Sequence, residues 1–392
     1  MKVGILTFHN AHNYGASLQA YALKMCIQQM GHDVTIVNYR NPKIEGQYPQ
    51  KLRPKFTKKI LNPKNWKQFV YDTIRGIYGQ KAWNRQWKAF DQFITEELLD
   101  NDRRLIGVDG FECLHKDAYI LGSDQIWSSF LTGKLDPVYF GEFKKKERII
   151  SYAASLANGK IAESEEAAFV KLLNNVSILM KFVYGRSKYL TGGDLYIEME
   201  EKLAEQLRQL TGREVSTVVD PTLLLKAADY EKIMTTERKL PDGKLPTEEK
   251  YVFAYFVVEE KAVEECAKKV ARKLGLQLIE LHYYHMPENS EANQFADFGP
   301  ADFLAYIKNA EMVITNSFHG TVFSVIYRRP FYSVYKKNGR VDNLLKFLQI
   351  SEKHVSSAEE IDEITEIDYE DVHKRLAEYR ESSLQFLREN LK

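Results

Sequence analysis

The chain has 392 residues, more than one ordinary hydrophobic core accommodates, so two domains are expected. Hydrophobic residues make up 44% and charged residues 28%, the balance of a folded water-soluble chain, and a formal net charge of +1 excludes a globally basic surface for nucleic acid. No apolar stretch is long enough to span a bilayer, and Cys26, Cys113 and Cys266 are too scattered for a disulfide framework or a zinc site, which fits a reducing, cytoplasmic setting.

Val3–Phe8 is a short apolar run that passes directly into polar HNAHNYG, so a buried first strand is expected and not a signal peptide. After the loop His9–Gly15, Ala16–Met30 carries Leu18, Ala22, Leu23, Met25 and Cys26 at helical spacing and stops at Gly31. Val34–Tyr39 is the next strand. Strand, loop, helix, strand is a βαβ unit, which implies a parallel sheet with functional loops at its carboxyl edge. Residues 41–63 read as a long loop and Trp66–Leu99 as a long helix. Ala118–Gly122 and Arg148–Ala154 are strands and Glu163–Leu173 a helix. Phe182–Gly185 and Ser216–Val219 are short strands expected to complete the first sheet.

Lys239–Pro246 has the Pro/Gly character of a linker. The alternation then restarts. Tyr251–Val258 is a strand, Glu260–Leu274 a helix closed by Gly275, Leu276–Leu281 a strand and Pro300–Asn309 a helix. Met312–Thr315 is a strand, Val322–Tyr327 a helix, Phe331–Val334 a strand and Tyr369–Asn390 an amphipathic terminal helix. The expectation is an α/β protein of two Rossmann-like domains facing a cleft: residues 1–228, a linker at 229–250, and residues 251–392 including the terminal helix.

Four loops carry residue types suited to chemistry. Asn13, Tyr14 and Gly15 lie at a strand-to-helix switch, where backbone N–H groups meet polar ligands, although a tight turn capped by asparagine would use the same residues. The chain has neither GxGxxG nor GxxxxGK[ST], so neither a dinucleotide nor a P-loop site is supported. Ser123 and Asp124 follow a strand end; Asp124 suits orienting or deprotonating a sugar hydroxyl, and either residue suits a helix cap. Trp127 beside them fits a sugar face or the core. Arg186 and Lys188 follow a short strand and fit an anion site or a solvated turn. Asn316, Ser317, His319 and Gly320 form a strand-to-helix turn with N–H donors for phosphate and a histidine that titrates near neutral pH. Arg340 downstream adds charge for an anionic donor, or lies in water. His282 with His285, and His9 with His12, lack the partners of a metal site, so no metal is expected.

Taken in order, Asn13–Leu23, Gly122–Trp127, Val219–Leu224 and Thr315–Thr321 resemble the polysaccharide pyruvyl transferase family, and Arg340 looks like the arginine that follows the family's last motif. The resemblance covers about residues 1–350. It implies a GT-B-like pair of Rossmann-like domains, phosphoenolpyruvate as donor with no further cofactor, and a sugar diol in a cell-surface glycan or its lipid-linked precursor as acceptor. It implies that His319 is the catalytic histidine and Arg186 the donor arginine. Ser187 stands where the family has glutamate after that arginine, which leaves room for a changed donor. Two other readings stay open at this point: a nucleotide-sugar glycosyltransferase of the same fold, and a non-catalytic glycan-assembly protein.

Residues 51–88 interleave eleven lysines and arginines with large aromatics, among them Trp66, Trp83 and Trp87, against a single acid, Asp72. The pattern suits either a helix packed on the first sheet or a weak, salt-sensitive contact with the inner face of an anionic membrane.

Overall fold

A computed structural model describes the chain apart from residues 50–65, 101–103, 106, 109, 144–146, 157–159, 178–179, 183–197, 214, 235–237, 241, 259, 283–292 and 337–338. The first lobe is built on a parallel sheet of β1 (Lys2–Leu6), β2 (Asp33–Ile36), β3 (Ala118–Leu121) and β4 (Arg148–Ser151), in the order β2-β1-β3-β4. β1 and β3 are apolar almost throughout and buried on both faces, the pattern of central parallel strands, and they register Val3 to Ala118 and Ile5 to Ile120.

Strands at Phe182–Gly185 and Ser216–Val219 were expected in this sheet; residues 183–185 lie outside the described residues, and the strands observed are β5 (Met180–Phe182) and β6 (Ser216–Val218). They instead pair in parallel with each other as a separate two-stranded sheet. Just ahead of β5, Ser177 donates its N–H to the Ile149 carbonyl of β4 at 2.8 Å, and the Ile149 N–H donates to Ser177 Oγ at 3.3 Å.

The second lobe is a parallel sheet of β7 (Tyr251–Phe256), β8 (Gln277–His282), β9 (Asn293–Phe295), β10 (Met312–Thr315), β11 (Phe331–Val334) and β12 (His354–Val355), in the order β12-β11-β10-β7-β8-β9. The helix Lys261–Leu274 ends at Gly275 with φ 63°, where the left-handed turn favours glycine. Helices at Glu198–Thr211 and Gly339–Leu348 were not anticipated from the sequence pattern.

One apolar cluster runs through both lobes, holding Ile5 and Leu18 of the first with Phe303 and Val322 of the second. The helix Tyr14–Gln29 passes through it, which explains why that helix is buried on nearly every side. Tyr14 stacks on Phe303 at 4.6 Å between centroids and donates its hydroxyl to the Phe298 carbonyl at 2.9 Å.

The terminal helix Tyr369–Asn390 does not stay with the second lobe. Val219 donates its N–H to Ser383 Oγ at 3.0 Å, Arg380 Nε donates to the Leu223 carbonyl at 2.6 Å, and Arg148 Nη1 to the Asn390 carbonyl at 2.8 Å. Trp83, on the long helix Trp66–Phe93, is buried and donates Nε1 to the Pro49 carbonyl at 2.8 Å, while Lys81, Arg85 and Lys88 are exposed and Trp66 is 60% exposed. Among the described residues no helix is long and apolar enough to cross a membrane.

The buried carboxylate of Asp297 accepts from Arg85 Nε at 2.6 Å and from Arg238 Nη1 at 2.7 Å, tying the first-lobe helix to the second lobe. Asp297→Ala should lower unfolding stability by about 1–3 kcal/mol, the range for stranding charge-assisted partners, because Arg85 remains largely solvated. Urea denaturation measures this; an unchanged midpoint would show that the cluster contributes nothing to the seam.

Candidate active site

In each sheet the chain winds first one way and then the other from a central strand, between β1 and β3 in the first lobe and between β7 and β10 in the second. Ligands of parallel α/β sheets bind at such switch points, outside the carboxyl ends of the strands. Here the two switch points face each other. A cavity of about 400 Å³ lies between them, lined by Asn13 and Gly15 after β1, Asp124 after β3, Val257 after β7, and Asn316–His319 after β10. Arg340, from the first turn of the helix Gly339–Leu348, completes it.

The start of the helix Phe318–Ile326 is fixed by short polar side chains. Ser317 caps it, its Oγ accepting from the Gly320 N–H at 3.1 Å. Asn316 Oδ1 accepts from the Val257 N–H at 2.9 Å and its Nδ2 donates to the Val258 carbonyl at 2.7 Å, joining the loop after β10 to the loop after β7. These bonds set His319 in the first helical turn. A Cβ on Gly15 would lie 2.1 Å from His319 Nδ1, so the imidazole rests directly on the backbone of the opposite lobe.

Asp220, just after β6, approaches the other ring nitrogen. Its Oδ2 is 3.8 Å from His319 Nε2, a coulombic contact longer than a hydrogen bond. Its Oδ1 accepts from the Thr222 N–H at 2.9 Å and from Thr222 Oγ1 at 2.5 Å, which fixes the carboxylate's orientation. His319 Nε2 is buried and without a hydrogen-bond partner among the described residues. Burial pulls the His319 pKa below its ordinary value; Asp220 opposes that shift, Arg340 reinforces it and Asp124 opposes it.

Asp124 lies across the cavity at φ 82°, a conformation few L residues adopt and one that clusters at functional sites. Its Oδ1 accepts from the Gln125 N–H at 2.8 Å and its carbonyl from the Ser155 N–H at 2.9 Å. Arg340 Nη2 donates to Ser155 Oγ at 3.3 Å. Burial raises the Asp124 pKa, while Arg340 and the Gln125 N–H hold it back. One wall thus offers a cation and helix N–H groups for an anion, and two half-buried titratable groups, each biased toward its neutral form, face the same space.

The remaining sequence candidates lie elsewhere. Tyr14 belongs to the core between the lobes. Ser123 is buried with its hydroxyl donating to Gln19 Oε1, and its carbonyl accepts from Thr7 Oγ1 at 2.9 Å, so it braces the loop behind Asp124. Gly320 is buried, and a Cβ there would meet Thr315 Oγ1 at 2.6 Å; its part is to allow the tight start of the helix. Trp127 is a core residue donating Nε1 to the Tyr139 carbonyl at 2.9 Å. Arg186 lies outside the described residues. His9 and His12 are buried, which lowers both to about 4. Among the described residues no cluster of three metal-ligating side chains occurs. Asp220 was not among the site candidates; the available signal was Val-Asp-Pro-Thr directly after a strand, a segment noted only for its resemblance.

Asp220 raises the His319 pKa, so Asp220→Asn should lower it further. A histidine titration by NMR should show the imidazole deprotonating at lower pH than in the wild type, and any pH–rate limb that requires the imidazolium should move the same way. No displacement would remove Asp220 as the positioning residue for His319. Gly15→Ala should cost activity with little loss of fold, since the added methyl displaces the ring; full activity in that variant would show that the ring tolerates another seat.

The fold and the site can be set against known proteins. The chain resembles the UDP-GlcNAc 2-epimerase from Neisseria meningitidis bound to UDP-GlcNAc, at 8% identity over 98% of this chain and 93% of that one, with a TM-score of 0.46. It resembles the Methanocaldococcus jannaschii UDP-GlcNAc 2-epimerase in complex with UDP-GlcNAc and UDP at 12% identity, over 99% of each chain, with a TM-score of 0.44. It resembles a glycosyltransferase from Streptomyces sp. SF2575 complexed with thymidine diphosphate at 11% identity, over 99% of each chain, with a TM-score of 0.44. No curated protein matches it by sequence. The family model for polysaccharide pyruvyl transferases matches residues 13–180 and 200–338, a span that takes in Asn13, Gly15, Asp124, Asp220 and His319 and ends just before Arg340. The chain belongs to the polysaccharide pyruvyl transferase family.

Proposed function

We propose that this protein transfers a pyruvyl group from phosphoenolpyruvate to two hydroxyls of one sugar, in a cell-surface glycan or its precursor, forming a cyclic ketal. The observation that supports this reading is one cavity at the facing switch points lined by His319, Arg340 and Asp124, with Asp220 3.8 Å from the His319 imidazole.

In this scheme Arg340 and the N–H groups opening the helix Phe318–Ile326 hold the anionic donor from the second lobe. The sugar enters from the first lobe, beside Asn13 and Asp124. One sugar hydroxyl bonds to C2 of the donor while C3 gains a proton and becomes a methyl group. The second hydroxyl then bonds to C2 as the bond from C2 to the phosphate oxygen breaks, and its proton leaves with the phosphate. The two hydroxyl protons end on the methyl group and on the phosphate. His319 delivers the proton to C3, and Asp124 takes a proton from the attacking hydroxyl. No metal or cofactor enters the scheme.

Incubation with phosphoenolpyruvate and a panel of glycan acceptors should release phosphate together with a matching mass gain on the acceptor. His319→Gln should reduce turnover by roughly two to four orders of magnitude with the fold intact. Arg340→Ala should raise the donor KM about tenfold or more and leave the acceptor KM unchanged. Turnover of a nucleotide sugar, with none of phosphoenolpyruvate, would replace this reading with glycosyl transfer.

A further inference from the structure

The helix that carries His319 in its first turn ends at Ile326, and Ile326–Arg329 lines a second cavity, of about 460 Å³. The segment that follows Asp220 reaches the same cavity through Lys226 and Glu231, and the terminal helix closes it with His373 and Arg380. Both chain segments that bear the His319–Asp220 pair therefore converge again at this place.

Five lysines and arginines line the cavity, against one acid, Glu231. Several of the basic groups have evident structural partners. Lys308 pairs with Glu231 at 2.9 Å, and Arg328 pairs with Glu370. Arg380 donates to the Leu223 and Leu225 carbonyls at 2.6 and 3.3 Å, and His373 Nε2 lies 2.9 Å from the Val325 carbonyl. Arg329 Nη1 reaches the Ala310 carbonyl at 3.4 Å. Cations gather naturally where helices end on carbonyls, and these contacts belong to that pattern.

What remains is a surplus of donors and positive charge. Arg329 Nε and the Tyr327 hydroxyl are buried with no hydrogen-bond partner among the described residues. Tyr327 is itself more than nine-tenths buried. Exposed Lys226 stands at the mouth, its side chain in no ion pair among the described residues. Positive charge with unused N–H and O–H donors is the complement of an oxyanion. We propose that this cavity binds a phosphate-class anion, either inorganic phosphate or a phosphate monoester. The anion lies between Lys226 of the first lobe and Arg328 and Arg329 of the second, and so braces the lobe seam from the far end of the catalytic helix.

The site is separate from the reaction proposed above, and its test needs no turnover. Hydrogen exchange on the intact protein should show that inorganic phosphate, compared with chloride at equal ionic strength, protects residues 226–231 and 324–330. Lys226→Ala and Arg328→Ala should each weaken saturable phosphate binding at this second site about tenfold, as loss of a charge-assisted contact does. Arg340→Ala, in the other cavity, should leave the protection in place. Parallel titrations with inorganic phosphate and a sugar monophosphate identify the source by which binds more tightly. Protection no greater than with chloride, or affinity unchanged in both Lys226→Ala and Arg328→Ala, overturns the proposal.

Discussion

The cleft is organised by a side chain that is missing. His319 belongs to the second lobe, yet its ring lies against the backbone of Gly15 in the first, at a distance no Cβ would permit. The carboxylate beside the same ring, Asp220, also comes from the first-lobe side of the linker. The pair therefore exists only when the lobes are seated on each other. The next residue to Gly15 secures that seating: Tyr14 points the opposite way, into Phe303 and the Phe298 carbonyl. Adjacent residues thus divide the work, one clamping the lobes together and the other leaving room for the imidazole.

Burial acts on the two acid–base groups in opposite directions. It drives the carboxyl of Asp124 up and the imidazole of His319 down, because a dry site penalises whichever form is charged. Asp220 opposes the shift of His319 and Arg340 that of Asp124, while each reinforces the shift of the other group. The outcome is a carboxyl and an imidazole each biased toward its neutral form.

Much of this was legible in the sequence, and for definite reasons. The central strands are short apolar runs that end in polar loops, so their carboxyl ends and the loops after them could be placed. Asn13, Gly15, Asp124, Asn316, Ser317 and His319 all sit in those loops, and the structure brings them to one cavity. Polarity alone could not separate residues that face the cavity from residues that hold it. Tyr14 and Ser123 are polar but turn inward, and a strand-to-helix loop has room for both orientations. Asp220 escaped because its role depends on a contact across the lobes with a residue far along the chain. The pairing of β5 with β6 and the return of the terminal helix escaped for a related reason: both are set by tertiary contacts and not by the local period of apolar residues.

That returning helix has a bearing on how the chain is made. Val219 and the carbonyls of Leu223 and Leu225 obtain their partners from Ser383 and Arg380, 155 to 164 residues further along the chain. During synthesis the first lobe emerges early, but the segment around Asp220 stays without these partners until the helix Tyr369–Asn390 clears the ribosome. Domains generally fold in the order in which they are translated. Here a helix translated after the second lobe's sheet completes the first lobe, so a chain lacking Tyr369–Asn390 lacks the latch on the segment that presents Asp220 to His319.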